Sequence, residues 1–211
     1  HRTGRPEIWC EIRSTGMLQQ LTNQPDLGEW SVHPSHDGRH VYYTAGQGAW
    51  RVATEDGKAE CLLDFGGMAG REAGMGGAAM GTSTLSHDDR FWAVPVKIGE
   101  RFRFIVIDTA TGAQDTILEA ESIGHPEFLP SDNTLLRYAG KFHSRIWVVN
   151  RDGSGNRLIY NRKPRGMPNQ YEWIVHETWN PARPSEIITA NWPRGCIGID
   201  VDSGAVRPVC T

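Results

Sequence analysis

Short apolar and aromatic runs alternate with polar turns from one end of the chain to the other. Examples are His40-Val41-Tyr42-Tyr43, Arg103-Phe104-Ile105-Val106-Ile107, Thr134-Leu135-Leu136-Arg137-Tyr138 and Arg145-Ile146-Trp147-Val148-Val149. Runs of this kind, rich in β-branched and aromatic residues and bounded by Gly, Asp and Ser, predict strands. The turns between them are of two recurring types. One reads Ser14-Thr15-Gly16, Glu55-Asp56-Gly57, Ala110-Thr111-Gly112, Arg151-Asp152-Gly153 and Asp202-Ser203-Gly204. Here glycine supplies the positive φ that other residues resist. The second reads Pro34-Ser35-His36-Asp37-Gly38, Ser86-His87-Asp88-Asp89, Pro130-Ser131-Asp132-Asn133 and, degraded, Pro181-Ala182-Arg183-Pro184. Two hairpin turns per unit imply four strands per unit, and the turn glycines recur at about 40–55 residues, close to the range of propeller blades.

The pattern predicts an all-β chain, a β-propeller of four-stranded antiparallel blades. Residues 1–24 would supply the last two strands of one blade, with whole blades at about 28–66, 78–120, 123–161 and 172–211. Such a count leaves strand edges of the kind natural proteins avoid, and the sequence has no initiator methionine. The expectation is therefore a fragment or processed piece of a longer ring, a compact solenoid-like stack being the alternative.

Composition narrows the partners. A formal charge of -3 indicates neither a nucleic-acid surface nor a polybasic membrane patch. No apolar stretch reaches the roughly 20 residues of a membrane span, and residues 1–24 hold no signal-peptide core. A cytoplasmic location is expected, with the periplasm open if a leader precedes residue 1. The eight tryptophans fall mostly in strand-like runs, where packing between blades is the plain reading. Cys196 and Cys210 are symmetric about the turn 202–204 and would face each other across the last hairpin, a reduced pair being favoured because nothing signals export. The four cysteines contain no CxxC motif, so a structural zinc site is not supported.

Candidate chemistry centres on two histidines. His125 and His176 stand in the same place in successive units, each followed three residues later by an aromatic (Phe128, Trp179) and five residues later by a proline (Pro130, Pro181). In a propeller the innermost strands run along a central channel, so both imidazoles are expected at one funnel. Neutral imidazoles bind Mn, Zn, Ni or Fe and need only one or two further donors; Glu127, Glu177, Gln170 and His143 are the local candidates. The equivalent positions in earlier units are about Glu29 and Met80, so no repeat-wide packing rule demands histidine there. The glycine-rich stretch 66–77 lacks the Gly-Lys-Ser/Thr ending of a phosphate loop and reads as a crossing at the funnel mouth, with Arg71 a candidate ligand contact. The basic connection carrying Arg162, Lys163 and Arg165 would suit a carboxylate-bearing substrate.

Gly124-His125-Pro126-Glu127-Phe128-Leu129-Pro130-Ser131-Asp132, the run Arg145-Ile146-Trp147-Val148-Val149-Asn150-Arg151-Asp152-Gly153, and His176-Glu177-Thr178-Trp179 together resemble the C-terminal half of the oligogalacturonate lyases, seven-bladed propellers that degrade pectin oligomers. The distinctive part lies within about 123–180, while His1-Arg2-Thr3-Gly4-Arg5-Pro6-Glu7-Ile8-Trp9 is shared with TolB-like propellers. The resemblance implies metal-assisted β-elimination on an acidic oligosaccharide, an oligogalacturonide. A divalent metal, typically manganese, would be held by His125, His176 and Gln170, with His143 and Arg71 as catalytic candidates. The family also places a glutamine and a further histidine close to the His-Glu motif, where this chain has Trp173, Ile174 and Thr178. The competing expectation is a TolB-like binding or assembly platform without a metal. A serine-peptidase propeller is weaker still, since no Gly-x-Ser-x-Gly elbow is present.

Overall fold

The computed structural model describes residues 4–66, 82–167 and 170–210. Among these residues the strands pair into one two-stranded and four four-stranded antiparallel sheets, as the doubled turn signal predicts. The half blade is β1 (Trp9–Ile12) and β2 (Met17–Gln20). The first whole blade is β3 (His33–Pro34), β4 (His40–Ala45), β5 (Gly48–Ala53) and β6 (Ala59–Asp64). The second is β7 (Thr84–Leu85), β8 (Phe91–Ile98), β9 (Arg101–Asp108) and β10 (Gln114–Ala120). The third is β11 (Gly124–Leu129), β12 (Asp132–Ala139), β13 (Ser144–Asn150) and β14 (Arg157–Asn161). The fourth is β15 (Trp173–Asn180), β16 (Arg183–Trp192), β17 (Cys196–Asp200) and β18 (Val206–Cys210).

Each sheet keeps its strands in chain order because every connection inside it is a short hairpin. The five turn glycines, Gly16, Gly57, Gly112, Gly153 and Gly204, all have φ between +67 and +84, a region that costs other residues strain. Gly153 is doubly constrained, since a Cβ there would lie 2.3 Å from the Ile117 carbonyl oxygen.

The core lies between blades. Tyr42, Phe65, Trp92, Val94 and Ile107 pack the first whole blade on the second. Phe104, Phe128, Leu136 and Val149 join the second to the third, and Ile146, Trp179, Ile187 and Ile199 join the third to the fourth. The first strand of each blade sits innermost, where β11 touches both β7 and β15. Side chains stitch these inner strands: Thr82 Oγ1 accepts the His125 N–H at 3.0 Å and Thr84 Oγ1 the Phe128 N–H at 3.2 Å. At the far edge of the fourth blade Cys196 pairs directly with Cys210, and both are free thiols.

Candidate functional site

His125 and His176 occupy matching irregularities in the two inner strands. On β11 the pairing with β12 steps from Gly124↔Ala139 to Glu127↔Arg137, three residues against two. On β15 it steps from Val175↔Ala190 to Thr178↔Ile188, again three against two. Each histidine is the first extra residue of its bulge, and each has a left-handed backbone, φ 46 at His125 and φ 57 at His176. A bulge re-aims the side chain it carries, and left-handed φ at a residue with a Cβ is strain that gathers at functional sites. The sequence placed the histidines in register but not the bulge. Its trace there is only the residue type, since His tolerates positive φ better than most.

Two arginines fix the strands behind the histidines. Arg137 is buried; its Nε donates to Glu127 Oε2 at 2.7 Å, one terminal nitrogen to the His125 carbonyl at 2.8 Å, and the other to the Glu177 carbonyl. Arg145 grips the buried Glu177 carboxylate through two bonds of 2.5 and 3.2 Å. Glu127 also receives the Thr178 hydroxyl at 3.0 Å and the Trp179 N–H at 3.1 Å, tying the third blade to the fourth. Both carboxylates considered as metal donors are thus engaged by guanidinium groups. Thr178, at the position where the resemblance would place a further histidine, is spent on this seam.

Burial is the main influence on His125 and holds its pKa below the ordinary 6.5; the Glu177 charge opposes it, while Arg145, Arg137 and His176 add to it. The imidazole is thereby kept neutral, as a metal donor must be. His33, partly buried with Nε2 3.0 Å from Ser83 Oγ, is lowered by burial against an opposing hydrogen bond with the Ser83 backbone. A cleft of about 490 Å³ links His33, His87 and His125 with Thr84, Glu127 and Arg137. Below pH 6.5 the unfolded chain takes up protons at His33 and His125 that the folded chain resists. Stability from these two groups is therefore full above 6.5 and is lost as pH falls through 6.5 toward their folded values. Thermal melts at about pH 7.5 and 5.5 should show a lower midpoint at the acid end, and His33→Gln should shrink the difference; a midpoint that rises on acidification would contradict the assignment.

The other sequence candidates lie elsewhere or beyond view. Gln170 is exposed in the segment before β15, where its carbonyl accepts the Arg165 N–H at 2.7 Å, and no contact among the described residues joins it to either imidazole. His143 is exposed on the turn after β12, its ring edge-on to Tyr171 at 4.3 Å and to Phe142 at 5.3 Å. It belongs to an aromatic group with Phe142 and Tyr171 and not to the histidine pair. Arg71 falls outside the described residues. Sequence reasoning passed over the Ser-His-Asp turns: His36 Nδ1 lies 2.7 Å from Asp89 Oδ1 of the next blade and its ring meets His87 at 5.5 Å. The repeat of that triplet in both turns was the available signal.

The fold and inner-strand site define a β-propeller of four-stranded blades. No protein-family model matches the chain. It is 33% identical over 85 residues to the oligogalacturonate lyase of Dickeya dadantii (strain 3937), a match taking in 37% of this chain and 20% of that relative. An oligogalacturonate lyase solved in complex with manganese superposes with a TM-score of 0.75 at 17% identity, covering 95% of this chain and 58% of that one. The Vibrio parahaemolyticus oligogalacturonate lyase gives 0.72 at 19% identity, covering 97% and 60%. TolB from Acinetobacter baumannii gives 0.62 at 11% identity, covering 96% and 48%. The resemblance to oligogalacturonate lyases thus recurs in sequence, while the structural likeness is one of fold. The chain spans a fifth of the curated relative in the matched region and less than two thirds of the solved lyases.

Proposed function

We propose that the chain carries the channel site of an oligogalacturonate lyase-like enzyme that cleaves uronate oligomers from pectin by metal-assisted β-elimination. The observation that supports this most is the pair of histidines on identical left-handed bulges of adjacent inner strands. Strain of about 1–3 kcal/mol at each such residue has no packing purpose, because His176 is exposed. The donor chemistry fits a divalent ion at two nitrogen positions: among the described residues neither imidazole hydrogen-bonds a carboxylate, and Arg137 braces the backbone on both sides. Manganese is the preferred ion, by analogy with the solved relative, and Gln170 would be a further ligand.

When bound, the metal would draw charge from the uronate carboxylate and so lower the barrier to loss of the C5 proton. The chain's own part is to hold the His125 imidazole neutral by burial, to keep Glu127 and Glu177 from competing for the ion, and to supply a base. His143 is given that role, with Arg71 as a substrate contact. The base takes the C5 proton, the C4–O bond breaks, the 4-linked sugar leaves with the bonding electrons, and the C4–C5 double bond forms.

The test is turnover of trigalacturonate by a full-length protein, followed by the ultraviolet absorbance of the unsaturated product. Product should form with manganese, stop on chelation and resume on adding the ion back. Turnover that persists under chelation would remove the metal from the mechanism. A metal-free TolB-like platform is the second reading, and the fold likeness to TolB from Acinetobacter baumannii favours it. A protein that binds no ion and releases no product would establish that reading instead.

A further inference from the structure

Trp173 and Trp192 are direct cross-strand partners where β15 meets the end of β16, so their side chains leave the sheet on the same face. They are 54% and 69% exposed, against 2% or less for Trp92 and Trp179 in the core. Two neighbouring indoles left in water are a large apolar area to expose without a partner. Basic groups surround them. Arg165 donates to Asn191 Oδ1 at 3.2 Å and to the Trp192 carbonyl. The Arg162 guanidinium lies 4.2 Å above the Phe142 ring and 6.0 Å from that of Trp173, anchored to the Ile174 carbonyl at 2.6 Å.

The pairing of these arginines sets them apart. Arg137, Arg145 and Arg207 each face a glutamate at 2.5–2.6 Å. Among the described residues neither Arg162 nor Arg165 forms an ion pair, and the Nε of each has no hydrogen-bond partner. Burial depresses the Arg162 pKa, and the nearby Arg145 adds to this against the pull of Glu177. The Arg162 bond to the Ile174 carbonyl places the group two residues from His176 on β15. A guanidinium without a carboxylate, next to flat aromatic faces, matches a ligand that carries both an anion and an apolar ring face. A uronic acid residue has this chemistry: its pyranose C–H face packs on an indole and its carboxylate pairs with arginine.

We propose that Trp173 and Trp192, with Arg165 beside them and the buried Arg162 bracing β15 behind, form a binding subsite for an acidic oligosaccharide where β15 begins, independent of the histidine pair and of any metal. The choice of a uronate rests on the function proposed above; the subsite itself rests on the exposed indoles and unpaired arginines. It holds a sugar ring beyond the scissile bond, so it governs substrate length and affinity and not the chemical step.

The experiment is titration of the full chain with trigalacturonate and with neutral galactotriose, read by tryptophan fluorescence and calorimetry with a chelator present throughout. Trigalacturonate should bind and galactotriose should bind more weakly. The double substitution Trp173→Ala and Trp192→Ala should weaken trigalacturonate binding by about tenfold or more, about 1.4 kcal/mol, and Trp192→Phe should retain most of it. Arg165→Gln should erase the preference for the acidic sugar, and Arg103→Gln, whose ion pair with Glu119 lies in the second blade, should leave binding unchanged. Melting curves establish that the variants are folded. Binding that survives the double substitution overturns the subsite while leaving the lyase reading intact, as does binding lost equally with Arg103→Gln. Equal binding of both sugars, or of neither, also overturns it. Tryptophan-dependent binding in a protein without lyase activity upholds the subsite and removes the lyase reading.

Discussion

Full-length protein carrying His125→Ala or His176→Ala is expected to lose turnover of uronate oligomers by at least about 100-fold, since even the outer-shell partners of metal ligands typically contribute 10–100-fold. Metal retention after gel filtration should fall in parallel. The fold should survive, because His176 is exposed and His125 only partly buried. A glycine series separates function from strain. Alanine keeps the Cβ that the left-handed backbone resists, whereas His176→Gly removes it and should melt no lower than His176→Ala, by relief of about 1 kcal/mol. A double histidine variant with full activity would end the metal assignment. A glycine variant markedly less stable than the alanine one would end the strain argument.

Arg137→Met is expected to lower stability by about 3–5 kcal/mol, the usual consequence of removing one partner from a buried ion pair. The cause is specific: Glu127 would lose its counter-charge, and the carbonyls of His125 and Glu177 would lose their donor. Urea denaturation should show an earlier midpoint. Adding Glu127→Gln should recover part of the loss, because the uncompensated carboxylate is then gone. Arg137→Lys keeps the charge but not the fork, and should fall between the two. A stability change within about 1 kcal/mol for Arg137→Met would show that solvent, not the arginine, satisfies these groups.

What the sequence disclosed and what it concealed divide along one physical line. The blade plan was legible because it is written locally. The glycines at 16, 57, 112, 153 and 204 adopt positive φ, and each pair of turns delimits a four-stranded sheet. The equivalence of His125 and His176 was legible for the same reason, as a repeat in register. The bulges were not, because a bulge is a relation between two strands, and neither carries an insertion signal of its own. The arginine clamps were equally hidden: Arg137 was read as part of an apolar strand run, and Arg145 as a residue at the start of one. Their partners lie 10, 12, 32 and 40 positions away. Trp173 and Trp192 were not set apart from the tryptophans of the strand-like runs. Their exposure follows from their place at the open end of a hairpin, which composition does not reveal.

Arg137 has a consequence for how the molecule tolerates change. A guanidinium is a rigid plane whose donors diverge at fixed angles, and here it grips the backbone of β11 beside one imidazole and of β15 beside the other. The gap between the strands at that height is set by the dimensions of one conjugated group and not by the bulk of the side chains packed between the blades. Substitutions in the apolar layers can tilt or thicken a sheet while this gap stays nearly constant. The core is thereby free to drift in sequence, and the spacing of the histidines is insulated from that drift.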